Sequence, residues 1–414
     1  MISLVEALQY RCLKYSSQKL EKFHILVGPN GSGKSTFLDV ITFIRDIVSE
    51  GPTRAIQKRA PCHRDMIWLR EGSTVELAIE SEIPDKVREK LSRKGDTICR
   101  YEISLSEDSK TGLFGLFGET LWLKPREIVR FKQPSLYLSS TQLPDSLMTR
   151  GVHRNWKKII NKIKGGNDNF YAETKGFDHA FKLGFQKSAL GNLPEDEEKF
   201  PVAMWFRHFL QEEIHILSLR GEFLRESSPP RLSRGFLPDG SNLPWVINDL
   251  YIKDERKFDK WIAHIQKALP DIETIKTLER PQDRHRYLVI CYRNGLEVPS
   301  WLVSKGTLRM LALTLLAYLP EVYGTYLIEE PEAGIHPGAV ETVFQSLSSI
   351  NNAQILFSTH SSVILNAATP HNLLCFARAD DGATDIITGT LQPDLKEWKD
   401  ETSLDALCAK GILG

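Results

Sequence analysis

Two stretches of this 414-residue chain carry residue types that handle phosphate and water. The first is Gly28, Pro29, Asn30, Gly31, Ser32, Gly33, Lys34, Ser35 and Thr36, which fits G-x-x-x-x-G-K-[ST]. Its glycines let consecutive backbone N–H groups turn inward around phosphate oxygens, and a helix N-terminus behind them adds its dipole. In such a loop Lys34 reaches the β- and γ-phosphates and Ser35 ligates Mg²⁺, while Thr36 donates to the α-phosphate. The second stretch is T-Y-L-I-E-E-P-E, Thr325 to Glu332, where an apolar run delivers two adjacent carboxylates. One can hold a metal while the next polarises an attacking water. Strand alternation assigns Glu329 to the metal and Glu330 to the γ-phosphate side.

The elements that must position these residues are legible around them. F-H-I-L-V (Phe23 to Val27) reads as a strand entering the glycine loop, and Phe37, Leu38, Ile41, Ile44, Ile47 and Val48 fall at helical spacing after it. Further strands are expected at Thr74 to Glu80, Cys99 to Leu105, Glu119 to Leu123, Ile272 to Leu278 and Arg286 to Tyr292. Near residue 150 the composition shifts. Residues 150–187 are strongly basic and hold Trp156, Phe170, Tyr171, Phe177, Phe181 and Phe185. They either hold phosphate backbones and stack bases or form a solvated helical face with its aromatics turned inward. A helix is expected from Val202 to Leu219, and helix-patterned sequence continues to about Leu269. The expected organisation is α/β: one half of the core over 1–149, a mostly helical inserted lobe over 150–270, and the other half over 271–414.

Two further motifs narrow the reading. V-S-K-G-T-L-R-M-L (Val303 to Leu311) is a Ser-x-Gly turn opening an apolar helix, and I-L-F-S-T-H-S (Ile355 to Ser361) is a strand ending in a histidine. With these the chain resembles ABC-type ATPases of the RecF, SMC and OLD branch. The likeness matches Ser304 and Gly306 to the signature motif, Glu329 and Glu330 to the Walker B pair, and His360 to the switch histidine. E-A-G-I-H-P (Glu332 to Pro337) looks like that branch's D-loop. Y-R-C-L-K near residue 10, P-D-G-S-N-L-P (Pro238 to Pro244) and the terminal D-A-L-C-A-K-G-I-L are similar to compact prokaryotic AAA-family ATP-binding proteins. Two motifs depart from the usual pattern: Glu329 stands where Asp is common in the acidic pair, and Lys305 and Thr307 replace the Gly and Gln that transporters carry in the signature.

The resemblance implies a P-loop sheet core with an antiparallel β subdomain, with ATP and Mg²⁺ bound. It implies a homodimer sandwiching two ATPs, in which Ser304 and Gly306 serve the opposite copy. Glu330, His360 and Lys34 are then the catalytic residues, and Ser35 and Glu329 the metal ligands. The expected role is a switch in DNA metabolism or anti-phage defence that controls a separate effector or nuclease, with nucleic acid met through 150–187. Competing readings are a transporter's nucleotide-binding subunit and a scaffold with little turnover. No Toprim nuclease module is expected after His360, because Asp380, Asp381, Asp385 and the carboxylates from Asp394 onward lack its context.

Composition agrees with a globular, cytoplasmic protein. Lys and Arg number 53 against 53 Asp and Glu, which argues against coating nucleic acid or membrane all over. No apolar run is long enough for a bilayer, and the start lacks a leader pattern. The cysteines, Cys12, Cys62, Cys99, Cys291, Cys375 and Cys408, show neither C-x-x-C nor zinc spacing. Weaker candidates remain. Gln57 reads as a magnesium-sensing glutamine or a plain surface residue, and Arg11 as a nucleotide contact or a structural partner. His336 reads as a cap before Pro337. His208 and His215, seven apart, are expected on one helical face that suits packing or metal binding.

Overall fold

The computed structural model describes residues 1–108, 112–126, 143–151, 153–230 and 235–392. The chain opens with β1 (Ile2–Tyr10), β2 (Leu13–Lys19), β3 (Phe23–Val27), α1 (Lys34–Glu50) and α2 (Pro52–Gln57). There follow β4 (Thr74–Glu82), α3 (Asp85–Arg88), β5 (Ile98–Glu107), β6 (Phe114–Lys124), β7 (Lys157–Lys162), β8 (Asp168–Phe170) and β9 (His179–Phe181). Next come α4 (Pro201–Glu212), β10 (Ile214–Leu217), α5 (Gly221–Arg225), α6 (Leu243–Lys253), α7 (Glu255–Gln266), β11 (Ile272–Glu279), β12 (Arg286–Tyr292) and β13 (Glu297–Pro299). The last elements are α8 (Lys305–Leu315), β14 (Gly324–Glu329), α9 (Pro337–Ser348), β15 (Ala353–Ser358), α10 (Ser362–Ala367), β16 (Leu373–Arg378) and β17 (Thr384–Thr388).

Three sheets result among the described residues: an antiparallel β2-β1-β4-β5-β6-β7-β8-β9, a mainly parallel β10-β14-β15-β3-β16-β17, and a small β11-β12-β13. The parallel strands are near-continuous apolar runs because both faces of their sheet are covered. Alternation sorts their side chains between two cores. Leu26, Leu327 and Leu356 pack with α1, α4 and the antiparallel sheet. Their neighbours Ile25, Val27, Ile328, Ile355 and Phe357 pack with α6 to α9. Helix α1, buried through Phe37, Leu38, Ile41, Ile44, Ile47 and Val48, is thus wedged between the two larger sheets.

The middle of the chain departs from expectation. Lys157 to Phe181 does not form a helical lobe. It adds three strands to the edge of β6, so the antiparallel sheet runs through the boundary expected at 149. The β-branched Ile159 and Ile160 drive this pairing and are fully buried. Charge disguised the pattern: Lys162 is buried against Asp168 at 2.7 Å, and Lys157 donates to the Glu173 carbonyl at 2.8 Å. The helix expected from Val202 to Leu219 stops at Glu212. Ile214 to Leu217 then forms β10, an edge strand of the parallel sheet beside β14. His208 and His215 accordingly sit on a helix and a strand rather than on one helical face.

Cys12, Cys62, Cys99, Cys291 and Cys375 are unbridged. Cys408, Asp394 and the D-A-L-C-A-K-G-I-L segment lie outside the described residues. Among those described, no group of His, Cys, Asp or Glu clusters as a metal site, and no helix is long and apolar enough to cross a membrane.

Two buried polar groups generate stability predictions. Gln354, fully buried in β15, donates to Ile2 O at 2.7 Å and Glu21 O at 2.8 Å, and accepts from Ile2 N and Thr325 Oγ1, both at 3.0 Å. Leucine there strands all four groups, so Gln354→Leu should cost about 2–4 kcal/mol in denaturant unfolding. Glu173, 1% exposed, accepts Val202 N–H at 2.7 Å and Ala203 N–H at 2.8 Å at the start of α4. Burial pushes its carboxyl from 4.5 up to about 7, against those hydrogen bonds and the Lys157 charge. A folded pKa above the unfolded one favours the neutral acid. Its contribution is therefore complete below 4.5 and is lost as pH rises through about 7. Melting curves across that window should fall more steeply for wild type than for Glu173→Gln, and parallel curves would contradict the assignment.

Candidate functional site

Strands β14, β15 and β3 lie side by side and parallel, so the segments leaving their C-terminal ends share one edge of the sheet, the usual ligand edge of α/β folds. From β3 comes the loop Gly28 to Gly33. Gly28 takes φ 148° and Gly33 φ 101°, and Gly33 opens α1 without a side-chain cap. A Cβ on Gly28 would meet Phe376 O at 2.2 Å, and one on Gly33 would meet Thr384 Oγ1 at 2.3 Å, so β16 and β17 press the loop from behind. Pro29, Asn30, Gly31 and Ser35 are exposed, and Thr36 is half-buried.

Lys34 curls back beneath the loop, where its Nζ donates to Gly28 O and Pro29 O, both at 2.8 Å. Burial lowers its pKa, while Glu330 and Glu329 oppose the shift, so both carboxylates act on the lysine. Ser32 is 1% exposed and its Oγ has no partner. A glycine cradle, a buried cation and an orphaned hydroxyl form a donor set that fits polyphosphate, and the exposed Ser35 and Glu329 supply oxygens suited to Mg²⁺.

The acidic pair differs from the alternation expected. Strand β14 ends at Glu329, and Glu330 turns through φ 44°, its N–H bonded to Ser358 O at 3.0 Å. Both carboxylates are on exposed residues. His360, also exposed, leaves β15 one residue after Thr359, whose N–H bonds to Leu26 O on β3 at 3.2 Å. The glycine loop, the acidic pair and His360 therefore leave neighbouring parallel strands at one edge of the sheet.

Ser304 and Gly306 stand at the start of α8. Ser304 caps the helix by accepting Thr307 N–H at 3.0 Å and is itself exposed. Arg225 of α5 grips the preceding Val303 carbonyl at 2.9 and 2.7 Å, and Lys305 pairs with Glu222. A Cβ on Gly306 would lie 1.9 Å from Gly334 O, so glycine alone lets α8 approach the turn after β14. No hydrogen bond among the described residues joins Ser304 or Gly306 to the phosphate loop of the same chain.

The weaker candidates resolve as follows. Arg11, with φ 49°, donates to Asp39 at 3.1 Å and to Arg59 O at 3.1 Å, which is the structural pairing. Asp39 also takes Arg59 at 2.8 Å. His336 caps α9 by accepting Gly338 N–H at 3.2 Å. Gln57 is exposed at the end of α2, and no hydrogen bond among the described residues ties it to the loop. Two side chains that lie within the motifs but were given no role also reach the edge. Arg309 of α8 donates to Glu330 O at 2.8 Å and Glu329 O at 3.3 Å. Glu332 accepts Thr359 Oγ1 at 2.7 Å and His360 N–H at 3.0 Å. Their partners are hydroxyl and backbone groups distant in sequence, which leaves no local pattern to read.

The sequence matches, over residues 23–111 and 158–366, the family described as AAA domain, putative AbiEii toxin, type IV TA system. No curated protein matches the chain. Among solved structures, it is similar to an SMC head bound to the C-winged helix domain of ScpA. That likeness has 15% identity and a TM-score of 0.54, covering 93% of this chain and 97% of that one. It is also similar to an SMC head domain with an extended coiled coil, bound to the C-terminal domain of ScpA and derived from Pyrococcus furiosus. Here identity is 13% and the TM-score 0.52, with 93% of this chain and 95% of that one covered. At these identities the likeness shows the fold alone, that of an SMC head. The chain belongs to the family described as AAA domain, putative AbiEii toxin, type IV TA system, and carries the α/β fold of an SMC head.

Proposed function

We propose that the protein is a Mg²⁺-dependent ATPase that works as a dimerising switch. The observation that carries this reading is the single edge on which Lys34, Glu329, Glu330 and His360 meet, while Ser304 faces outward from α8. The backbone of Gly28 to Gly33 and the Lys34 ammonium bind the phosphates of ATP, with Thr36 on the α-phosphate. Ser35 and Glu329 would hold Mg²⁺, which neutralises phosphate charge when bound. Glu330 orients the attacking water and receives its proton, and His360 steadies the γ-phosphate.

An exposed signature turn without contact to its own phosphate loop supports a two-fold arrangement in which each copy's Ser304 and Gly306 complete the other's site. ATP then closes the dimer and hydrolysis reopens it, so the output is conformational. The family's description as a putative toxin of a type IV system supports a role in defence or DNA metabolism, exerted through a separate effector or nuclease. Residues 150–187 are the proposed contact for nucleic acid. Some of their cations and aromatics serve the fold, Lys162 and Phe170 among them, but Arg150, Arg154, Lys164, Lys175, Lys182 and Lys187 are exposed and Phe177 is 88% exposed.

Two experiments test this reading. Lys34→Ala should weaken ATP binding about tenfold or more by removing the main cation. Glu330→Gln should keep ATP, accumulate closed dimers on sizing columns, and lose roughly 10²-fold or more in turnover. Wild-type turnover in the Gln variant would refute the assignment. Ser304→Arg and Lys34→Ala, each inactive alone, should recover ATPase activity when mixed, because one composite site in the heterodimer stays intact. Heterodimers that form without recovering activity would contradict a shared site.

A further inference from the structure

Arg309 and Glu332 have no part in the reading above, yet both direct their hydrogen bonds at the loops that carry Glu330 and His360. Helix α8 touches the turn after β14 at two points: Gly306 lies against Gly334 O, and one turn later Arg309 holds the carbonyls of Glu329 and Glu330. Glu330 sits at φ 44°, a conformation a glutamate keeps only where its surroundings fix it. Its amide is held by Ser358 O and its carbonyl by Arg309, so the peptide on each side of the strained residue is fixed. Glu332 fixes the neighbouring turn through Thr359 and His360.

Both groups are costly choices if packing were their whole purpose. Arg309 Nε and Glu332 Oε2 are buried without partners. Burial also lowers the arginine's pKa against the nearby charges of Glu332 and Glu330. An apolar residue would cover the same turn without those penalties. The cation also lies on the helix that Ser304 caps, and a helix moves as a rigid unit.

We propose that Arg309 and Glu332 are positioning residues: Arg309 fixes the turn that aims Glu330, and Glu332 fixes the turn that carries His360. Docking of the signature turn is thereby felt, through α8, at the water-orienting carboxylate. This rests on the ATPase reading, and its test separates the two. Arg309→Gln, Arg309→Lys and the double variant with Glu330→Gln are compared with wild type for ATP affinity, single-turnover hydrolysis and amide hydrogen exchange without nucleotide.

Arg309→Gln should bind ATP within about twofold of wild type and hydrolyse it roughly 10²-fold more slowly, the scale of a misplaced reacting group. Exchange should quicken in residues 328–334 while α1 and the antiparallel sheet stay protected. Arg309→Lys should regain part of the rate. The double variant should be no slower than Glu330→Gln alone, because both changes act through one carboxylate. Hydrolysis close to wild type in Arg309→Gln, unchanged exchange at 328–334, or rate losses that multiply in the double variant would each overturn the proposal. If wild type does not hydrolyse ATP, the ATPase reading fails, and the exchange comparison still decides whether Arg309 holds the turn.

Discussion

Strand β15 is the element on which the rest of the structure depends. It lies between β14 and β3, hydrogen-bonded to both in parallel register. At its start Gln354 reaches Ile2, which opens the antiparallel sheet, and Glu21, which precedes β3. At its end Ser358 O holds Glu330, and Thr359 N–H bonds to β3. One strand thus sets how the two large sheets meet and how far apart the phosphate loop, the acidic pair and the histidine stand. Parallel strands buried on both faces tolerate little slippage, because a one-residue shift would exchange the two sets of core side chains.

The loops built on that frame trade local comfort for arrangement. Gly28 and Gly33 approach β16 and β17 so closely that no side chain fits, and Glu330 leaves the strand through positive φ. Lys34 satisfies its ammonium with the loop's own carbonyls while two carboxylates favour its charge. That is the electrostatic balance of a phosphate site: a partly desolvated cation, inward amides and acidic oxygens kept to one side. Helix α8 ties the exposed Ser304–Gly306 turn to the same edge, so the surface proposed to meet a second copy and the carboxylate proposed to orient water are joined through one helix.

Much of this was legible in the sequence because phosphate chemistry demands fixed residue types just after strands. The loop from Gly28 to Thr36, the Glu329–Glu330 pair and His360 each follow an apolar run that could be read directly. The strands from Lys157 to Phe181 could not, since buried Lys162 and Asp168 neutralise each other in space while reading as a charged surface. Strand β10 is four residues long and follows α4 after one residue, too short to break a helical pattern. Gln354, Arg309 and Glu332 act mainly on backbone groups, 352 positions away in the case of Gln354 and Ile2. No spacing rule encodes such a contact; only the assembled sheet does.

The most direct test of a composite ATP site on the β3–β15–β14 edge is a crystal structure of Glu330→Gln with ATP and Mg²⁺. The result expected is a two-fold dimer with two nucleotides. In it Lys34 and Ser35 of one copy and Ser304 of the other touch the same triphosphate, with Glu329 on the metal. A nucleotide bound elsewhere, or one held by a single copy with Ser304 still facing solvent, would contradict it.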